Sequence, residues 1–130
     1  MKRQLFFFIA VGSAAAFTHM SVVALLVEAF GWPAALSNIA AFGLAFCVSF
    51  NGHARFTFPQ PPEQRAEACR RFIIIALTAF TLNQLTYSYA LTLFGPKLYL
   101  PILFVVLLGV AAFTFTMSRY WAFALRKQAA

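Results

Sequence analysis

Acidic side chains are almost absent from this 130-residue chain, which has three of them against ten Lys and Arg residues. Glu28 follows the first apolar stretch, whereas Glu63 and Glu67 lie near the middle of the chain. A pair of carboxylates suited to general acid–base catalysis is therefore missing. A small proton-coupled exporter is disfavoured for the same reason, because it needs a carboxylate deep inside a helix to exchange protons for cations.

Residues that ligate metals or form disulfides are also scarce. The chain has two cysteines, Cys47 and Cys69, and two histidines, His19 and His53, and none has a partner at metal-ligand spacing. No glycine-rich phosphate loop precedes a helix. These absences predict a protein that is not an enzyme and that has no catalytic residues, no metal site and no cofactor.

Apolar residues dominate instead. The chain is 62% hydrophobic and 10% charged, whereas an average soluble domain is about a quarter charged. Four runs lack Asp, Glu, Lys and Arg, and a run of about 20 such residues crosses ~30 Å of hydrocarbon as a helix. The runs are Leu5–Val27, Ala34–Phe50, Phe72–Phe94 and Leu98–Met117. The sequence thus predicts an all-α, multi-pass membrane protein with four transmembrane helices.

The basic residues are distributed asymmetrically between the segments that join these runs. Four crossings place the N-terminus, the middle loop and the C-terminus on one side, and that side holds every Lys and Arg except Lys97. Basic residues in short loops favour the cytoplasm, so we expect both termini to be cytoplasmic. The positive charge on this side predicts that the protein binds anionic membrane lipid of the inner leaflet and does not bind nucleic acid.

The two halves of the sequence resemble each other. Arg55-Phe56-Thr57-Phe58 aligns with Tyr120-Trp121-Ala122-Phe123 at an offset of 65 residues, and Gly31 of the first turn answers Gly95 of the second. Each half then inserts the same way up, as a helical hairpin in a parallel repeat. We therefore predict a single transmembrane domain over residues 1–130. It divides into repeat 1 (about 5–58), a cytoplasmic loop (59–71), repeat 2 (about 72–123) and a basic tail (124–130).

Three stretches carry a resemblance to a known family. Phe6–Gly12 and Phe50–Phe58, the latter echoed by Phe115–Phe123, are similar to the GtrA family of small four-helix bacterial membrane proteins. The chain departs from that pattern at His19, where an acidic residue is expected. The resemblance implies translocation of a polyprenyl-phosphate-linked sugar, with undecaprenyl phosphate as carrier. It places this activity in the bacterial cytoplasmic (inner) membrane, where it serves cell-surface polysaccharide glycosylation.

Two other functions stay open beside this one. The chain could be a non-transporting scaffold that recruits a glycosyltransferase through its basic surface. It could also be a small proton-coupled exporter, although the lack of a carboxylate inside the apolar runs disfavours this. Four helices offer little lateral surface to enclose a sugar, so we also expect a homo-oligomer.

Arg55 and Arg119 are the residues we expect to bind the substrate phosphate. Each follows an apolar run, and a guanidinium can hold a phosphate with two hydrogen bonds at headgroup depth. Asn51, Phe56 and Trp121 lie beside them in the sequence, and aromatic faces stack on sugars. The alternative is that both arginines only anchor helix ends on the cytoplasmic side.

His19, Asn83 and Gln84 are polar residues inside the first and third apolar runs. Each needs a hydrogen-bond partner in a medium without water. We expect the three to form an intramembrane polar path for the sugar headgroup. The alternative is that they join the helices by hydrogen bonds, as amides commonly do in membrane bundles.

Overall fold

The apolar runs fold into helices because a segment in hydrocarbon must satisfy its own backbone N–H and C=O groups. The computed structural model describes residues 2–124, so Arg126 and Lys127 of the predicted basic tail lie outside the described residues. Within that range the chain is helical, without strands. The main helices are α1 (Lys2–Phe30), α2 (Ala34–Gly52), α3 (Arg65–Phe94) and α4 (Tyr99–Met117). Four helices are long and apolar enough to cross a membrane, which confirms the predicted multi-pass membrane protein.

Glycine residues with positive φ end α1 and α3. Gly31 has φ 69° and Gly95 has φ 86°, a conformation that strains residues with a side chain. The Gly31 N–H donates to the Val27 carbonyl (3.1 Å) and the Gly95 N–H to the Leu91 carbonyl (2.9 Å). Both helices thus end in the same way, and each is followed by a turn of a few residues into the next crossing.

A π-helical turn ends each half of the chain. His53–Thr57 follows α2 and Ser118–Ala122 follows α4, again at an offset of 65 residues. The next residues, Phe58 and Phe123, stack on each other with ring centroids 5.2 Å apart and planes within 10°. The two halves therefore meet at equivalent positions, and the structural repeat has the same offset as the sequence repeat.

Two clusters of buried side chains lie at the two ends of the bundle. We call the end at which α1 and α3 begin the basic end, because it holds each described Lys and Arg except Lys97. Its core is Phe8, Phe58, Ala68, Phe72, Ile75, Ala122 and Phe123. The core of the opposite end is Val23, Ala41, Tyr87 and Leu103, each of them fully buried.

The opposite end is also joined by hydrogen bonds between three helices. The Tyr99 hydroxyl of α4 donates to Glu28 of α1 over 2.6 Å. The Tyr87 hydroxyl of α3 donates to the Tyr99 carbonyl over 2.9 Å. At this end α1, α3 and α4 are therefore held together.

Gly52 is the point of closest approach between α1 and α2. A Cβ atom placed on Gly52 would lie 2.5 Å from Val11 Cγ1, and valine is too stiff at χ1 to turn aside. We expect Gly52→Ala to lower the free energy of unfolding by about 1–3 kcal/mol through overpacking. Unfolding of the purified protein in detergent measures this effect.

Gly43→Ala is the matched control, because nothing lies within 4 Å of a Cβ at that position of the same helix. A second substitution, Val11→Ala, should restore most of the stability lost in Gly52→Ala. Equal stability of the two single alanine variants would contradict the assigned close contact.

Candidate functional site

A cavity of about 530 Å³ lies among the four helices. It occupies the bundle between the two buried clusters, and its volume falls in the range of small-molecule binding sites. Most of its lining is apolar. Its polar lining residues are Ser13, His19, Ser49, His53, Asn83 and Thr114. None of the lining residues found in the described part of the chain is Asp, Glu, Lys or Arg.

The cavity opens sideways between α1 and α4. Its exposed lining residues all belong to these two helices: Ile9, Ser13, Phe17, Phe104 and Leu108. The two helices touch at both ends, where the rings of Phe8 and Phe115 are 4.6 Å apart and Tyr99 bonds to Glu28. The opening is thus bounded above and below and faces the hydrocarbon.

A buried cluster of polar side chains closes the cavity toward the opposite end. Asn38 of α2 is its centre and is fully buried. Its Nδ2 donates to Asn83 Oδ1 (2.9 Å) and to Gln84 Oε1 (2.7 Å), and its Oδ1 lies 2.5 Å from His19 Nε2. Gln84 Nε2 in turn donates to the Ala35 carbonyl over 3.0 Å. The cluster therefore joins α1, α2 and α3.

Two atoms of this cluster keep access to the cavity. An amide oxygen only accepts, so the hydrogen shared with Asn38 belongs to His19 Nε2, and Nδ1 of the neutral imidazole is an acceptor. Among the residues described, His19 Nδ1 and Asn83 Nδ2 have no hydrogen-bond partner, yet neither is enclosed. Both residues line the cavity. An acceptor and a donor thus both lie at this end of the cavity.

His53 marks the other end of the cavity, next to the aromatic cluster. Its Nδ1 shares a hydrogen bond of 2.9 Å with Thr57 Oγ1, within the π-helical turn. Its ring stacks on Phe8, with centroids 5.0 Å apart. The two histidines are therefore placed near opposite ends of one cavity.

The residues predicted to form the polar path are brought together by the fold. His19 and Asn83 line the cavity, and Gln84 belongs to the same hydrogen-bonded cluster without lining the cavity. The cluster bonds three helices, as the helix-joining alternative describes, while a polar path for the sugar headgroup stays a prediction.

The two predicted arginines lie at the basic end and do not line the cavity. Arg55 is exposed, and within residues 2–124 its guanidinium has no hydrogen-bond partner. The Arg119 guanidinium lies over the Tyr120 ring, 5.2 Å from its centroid. In the register of the π-helical turns, Arg119 corresponds to Ala54 and Arg55 to Tyr120. The two arginines are therefore not at equivalent positions of the repeat.

The other residues predicted to bind the headgroup are Asn51, Phe56 and Trp121, and each makes a different contact in the structure. Asn51 Nδ2 donates to the Cys47 carbonyl of its own helix over 2.8 Å. Phe56 is exposed and stacks on Phe7, with centroids 5.9 Å apart. Trp121 contacts Arg71 of α3, whose guanidinium lies 5.6 Å from the ring centroid and donates to the Trp121 carbonyl over 3.0 Å.

Sequence reasoning missed Asn38 as the centre of the polar cluster and His53 as a lining residue. Asn38 looked like an ordinary residue at the start of the second helix, although it lies in an apolar run where an amide needs a partner. His53 follows the last residue of α2 and was considered only as a possible metal ligand. Its burial depends on the π-helical turn, which carries no clear mark in the sequence.

Comparison with known proteins gives one match. The family model described as "GtrA/DPMS, transmembrane domain" matches residues 7–123, a range that contains the lining residues of the cavity and nearly all of both repeats. No curated protein and no solved structure matches the chain.

Proposed function

Since the chain belongs to the GtrA/DPMS transmembrane-domain family, we propose that it moves a polyprenyl-phosphate-linked sugar across the bacterial cytoplasmic membrane. Membership of the family links the chain to membrane processes that involve such lipids. In this proposal the carrier is undecaprenyl phosphate, and the sugar serves cell-surface polysaccharide. The chain transports the lipid and changes no covalent bond.

The observation that carries the proposal is the sideways opening of a partly polar cavity. A lipid-linked sugar has a polar head and a long apolar tail, and the two need different surroundings. The head fits a cavity whose polar groups lie at several depths, from His53 to Asn83. The tail remains in the hydrocarbon because the cavity is open between α1 and α4. The head then crosses without full contact with lipid chains.

The basic end supplies the first contact in this scheme. Arg55 and Arg119 bind the phosphate at the cytoplasmic surface, and Phe56 and Trp121 belong to the same end of the bundle. Neither arginine lines the cavity, so they hold the phosphate before crossing and do not hold the sugar during it.

Reconstitution of the purified protein tests transport directly. Vesicles contain a polyprenyl-phosphate-linked hexose in both leaflets, and a membrane-impermeant reagent for vicinal diols is added outside. Without transport about half of the sugar reacts, whereas a translocator makes all of it reactive. If the purified protein left half protected, and instead co-purified with a glycosyltransferase in a salt-sensitive complex, the scaffold function would replace this one.

Replacing Arg55 and Arg119 together by Ala should raise the lipid concentration needed for half-maximal transfer about tenfold, which corresponds to about 1.4 kcal/mol of lost attraction. The maximal rate should change less, because the cavity is unaltered. Initial rates over a series of lipid concentrations measure both quantities. The double variant of Arg65 and Arg70, two exposed arginines at the same end, removes the same charge and is the control. Equal effects of the two double variants would reject Arg55 and Arg119 as a specific site.

A further inference from the structure

The atoms left open by the polar cluster form a paired hydrogen-bonding edge. His19 Nδ1 accepts and Asn83 Nδ2 donates, and both side chains are fixed by bonds to the same residue, Asn38. The two atoms thus have opposite hydrogen-bonding roles, and both residues are held by Asn38 at the same end of the cavity. Hydroxyl groups of a sugar ring complement this pair, because one hydroxyl can donate while another accepts.

Two aromatic rings lie near the polar cluster, and the rest of the lining at this end of the cavity is uncharged. The rings of Phe42 and Phe80 lie 4.4 Å apart and both line the cavity. Aromatic side chains suit the apolar C–H face of a pyranose. No Lys or Arg stands among the lining residues of the described chain to balance a carboxylate on the sugar. A second charge there, in addition to that of the phosphodiester, would also lack a partner and would add a further desolvation cost.

We infer that His19 and Asn83 form a recognition site for an uncharged sugar and that Asn38 positions both. The inference rests on the proposed function and adds its substrate class. The site binds a neutral hexose through its hydroxyls and rejects a hexuronic acid, whose carboxylate brings a second charge beside the phosphodiester. The specificity lies in the cavity, at a distance from the arginines of the basic end.

Transport of two lipids by the same protein, in two sets of vesicles, tests the site. One vesicle set contains a polyprenyl-phosphate-linked hexose, and the other contains the corresponding hexuronic acid on the same carrier. We expect the hexuronic acid to be moved at least tenfold more slowly. Equal rates would overturn the inference and leave the proposed function intact. If neither lipid moved, the proposed function itself would fail. This comparison uses the unaltered protein and does not depend on any variant that folds poorly.

A pair of leucine variants separates recognition from helix joining. Asn83→Leu and Gln84→Leu each remove one bond to Asn38 Nδ2, but only Asn83 lines the cavity. We expect Asn83→Leu to raise the apparent KM for the hexose lipid about tenfold, since an unpaired sugar hydroxyl is costly in such a site. Gln84→Leu should change it less than threefold. Equal changes in KM would show that the cluster only stabilises the bundle, and would overturn the inference.

Discussion

Tryptophan in place of Ala111 is expected to reduce the transfer of lipid-linked sugar more than about a hundredfold. Ala111 belongs to α4, is half-buried and lines the cavity. An indole at this position would occupy space that the headgroup needs in the proposed mechanism. Raising the barrier by about 2.7 kcal/mol already slows a step about a hundredfold, and the steric block is larger than that. The reconstituted vesicle assay measures the rate.

Ala112→Trp is the control for this experiment. Ala112 is the next residue of α4, but it is exposed and does not line the cavity. The same side chain therefore points into lipid, and transfer should stay within about twofold of the unaltered rate. If both variants transported equally well, the cavity would not be the route of the headgroup. If neither variant transported the lipid, the loss would come from a general disruption of α4 by tryptophan and not from filling of the cavity.

The largest loss of stability is expected for Asn38→Leu. The substitution removes the shared partner of His19, Asn83 and Gln84, and the bilayer offers no water to replace it. Single interhelical hydrogen bonds contribute about 0.6 kcal/mol in membranes, and buried polar groups left unpaired cost more. We expect the free energy of unfolding to fall by about 2 to 4 kcal/mol. Titration with SDS in mixed micelles measures it.

Asn51→Leu provides the same chemical change in the same helix. The Asn51 amide bonds only to its own helix at an exposed position, so the variant should lose less than about 0.5 kcal/mol. A comparable loss in both variants would mean that Asn38 does not connect the helices as its contacts indicate.

The four crossings could be predicted because each depends on local composition. A run of apolar residues long enough to span the bilayer has only the helix available to it, and glycine with positive φ marks where α1 and α3 end. The start of α3 could also be predicted, because Pro62–Glu67 has the proline and acidic residues typical of the first turn of a helix, here one that runs into the third crossing. That helix begins at Arg65, seven residues before the apolar run at Phe72, because charged residues such as Glu67 and Arg71 are good helix formers.

The side chains that meet across the bundle could not be predicted in the same way. Depth can be read from position in a run, which is why His19 and Asn83 were singled out, but the face that a helix turns inward depends on the packing of its neighbours. Asn38 is the clearest case. Arg55 shows a second reason, since the π-helical turn adds a residue to the helical period and changes the direction of the residues in and after it.

The twofold repeat has a geometric consequence for access to the bundle. If the two hairpins packed symmetrically, the interface between α2 and α3 would be equivalent to the interface between α4 and α1. The cavity would then open to the bilayer at both interfaces. At an offset of 65 residues, Phe42 and Phe80 correspond to Leu107 and Ala15. The two phenylalanine rings fill the space between α2 and α3, whereas the smaller side chains of Leu107 and Ala15 leave the space between α4 and α1 open. The two halves thus differ in side-chain size at this level, and among residues 2–124 the cavity is accessible to a lipid from one flank of the bundle, between α1 and α4.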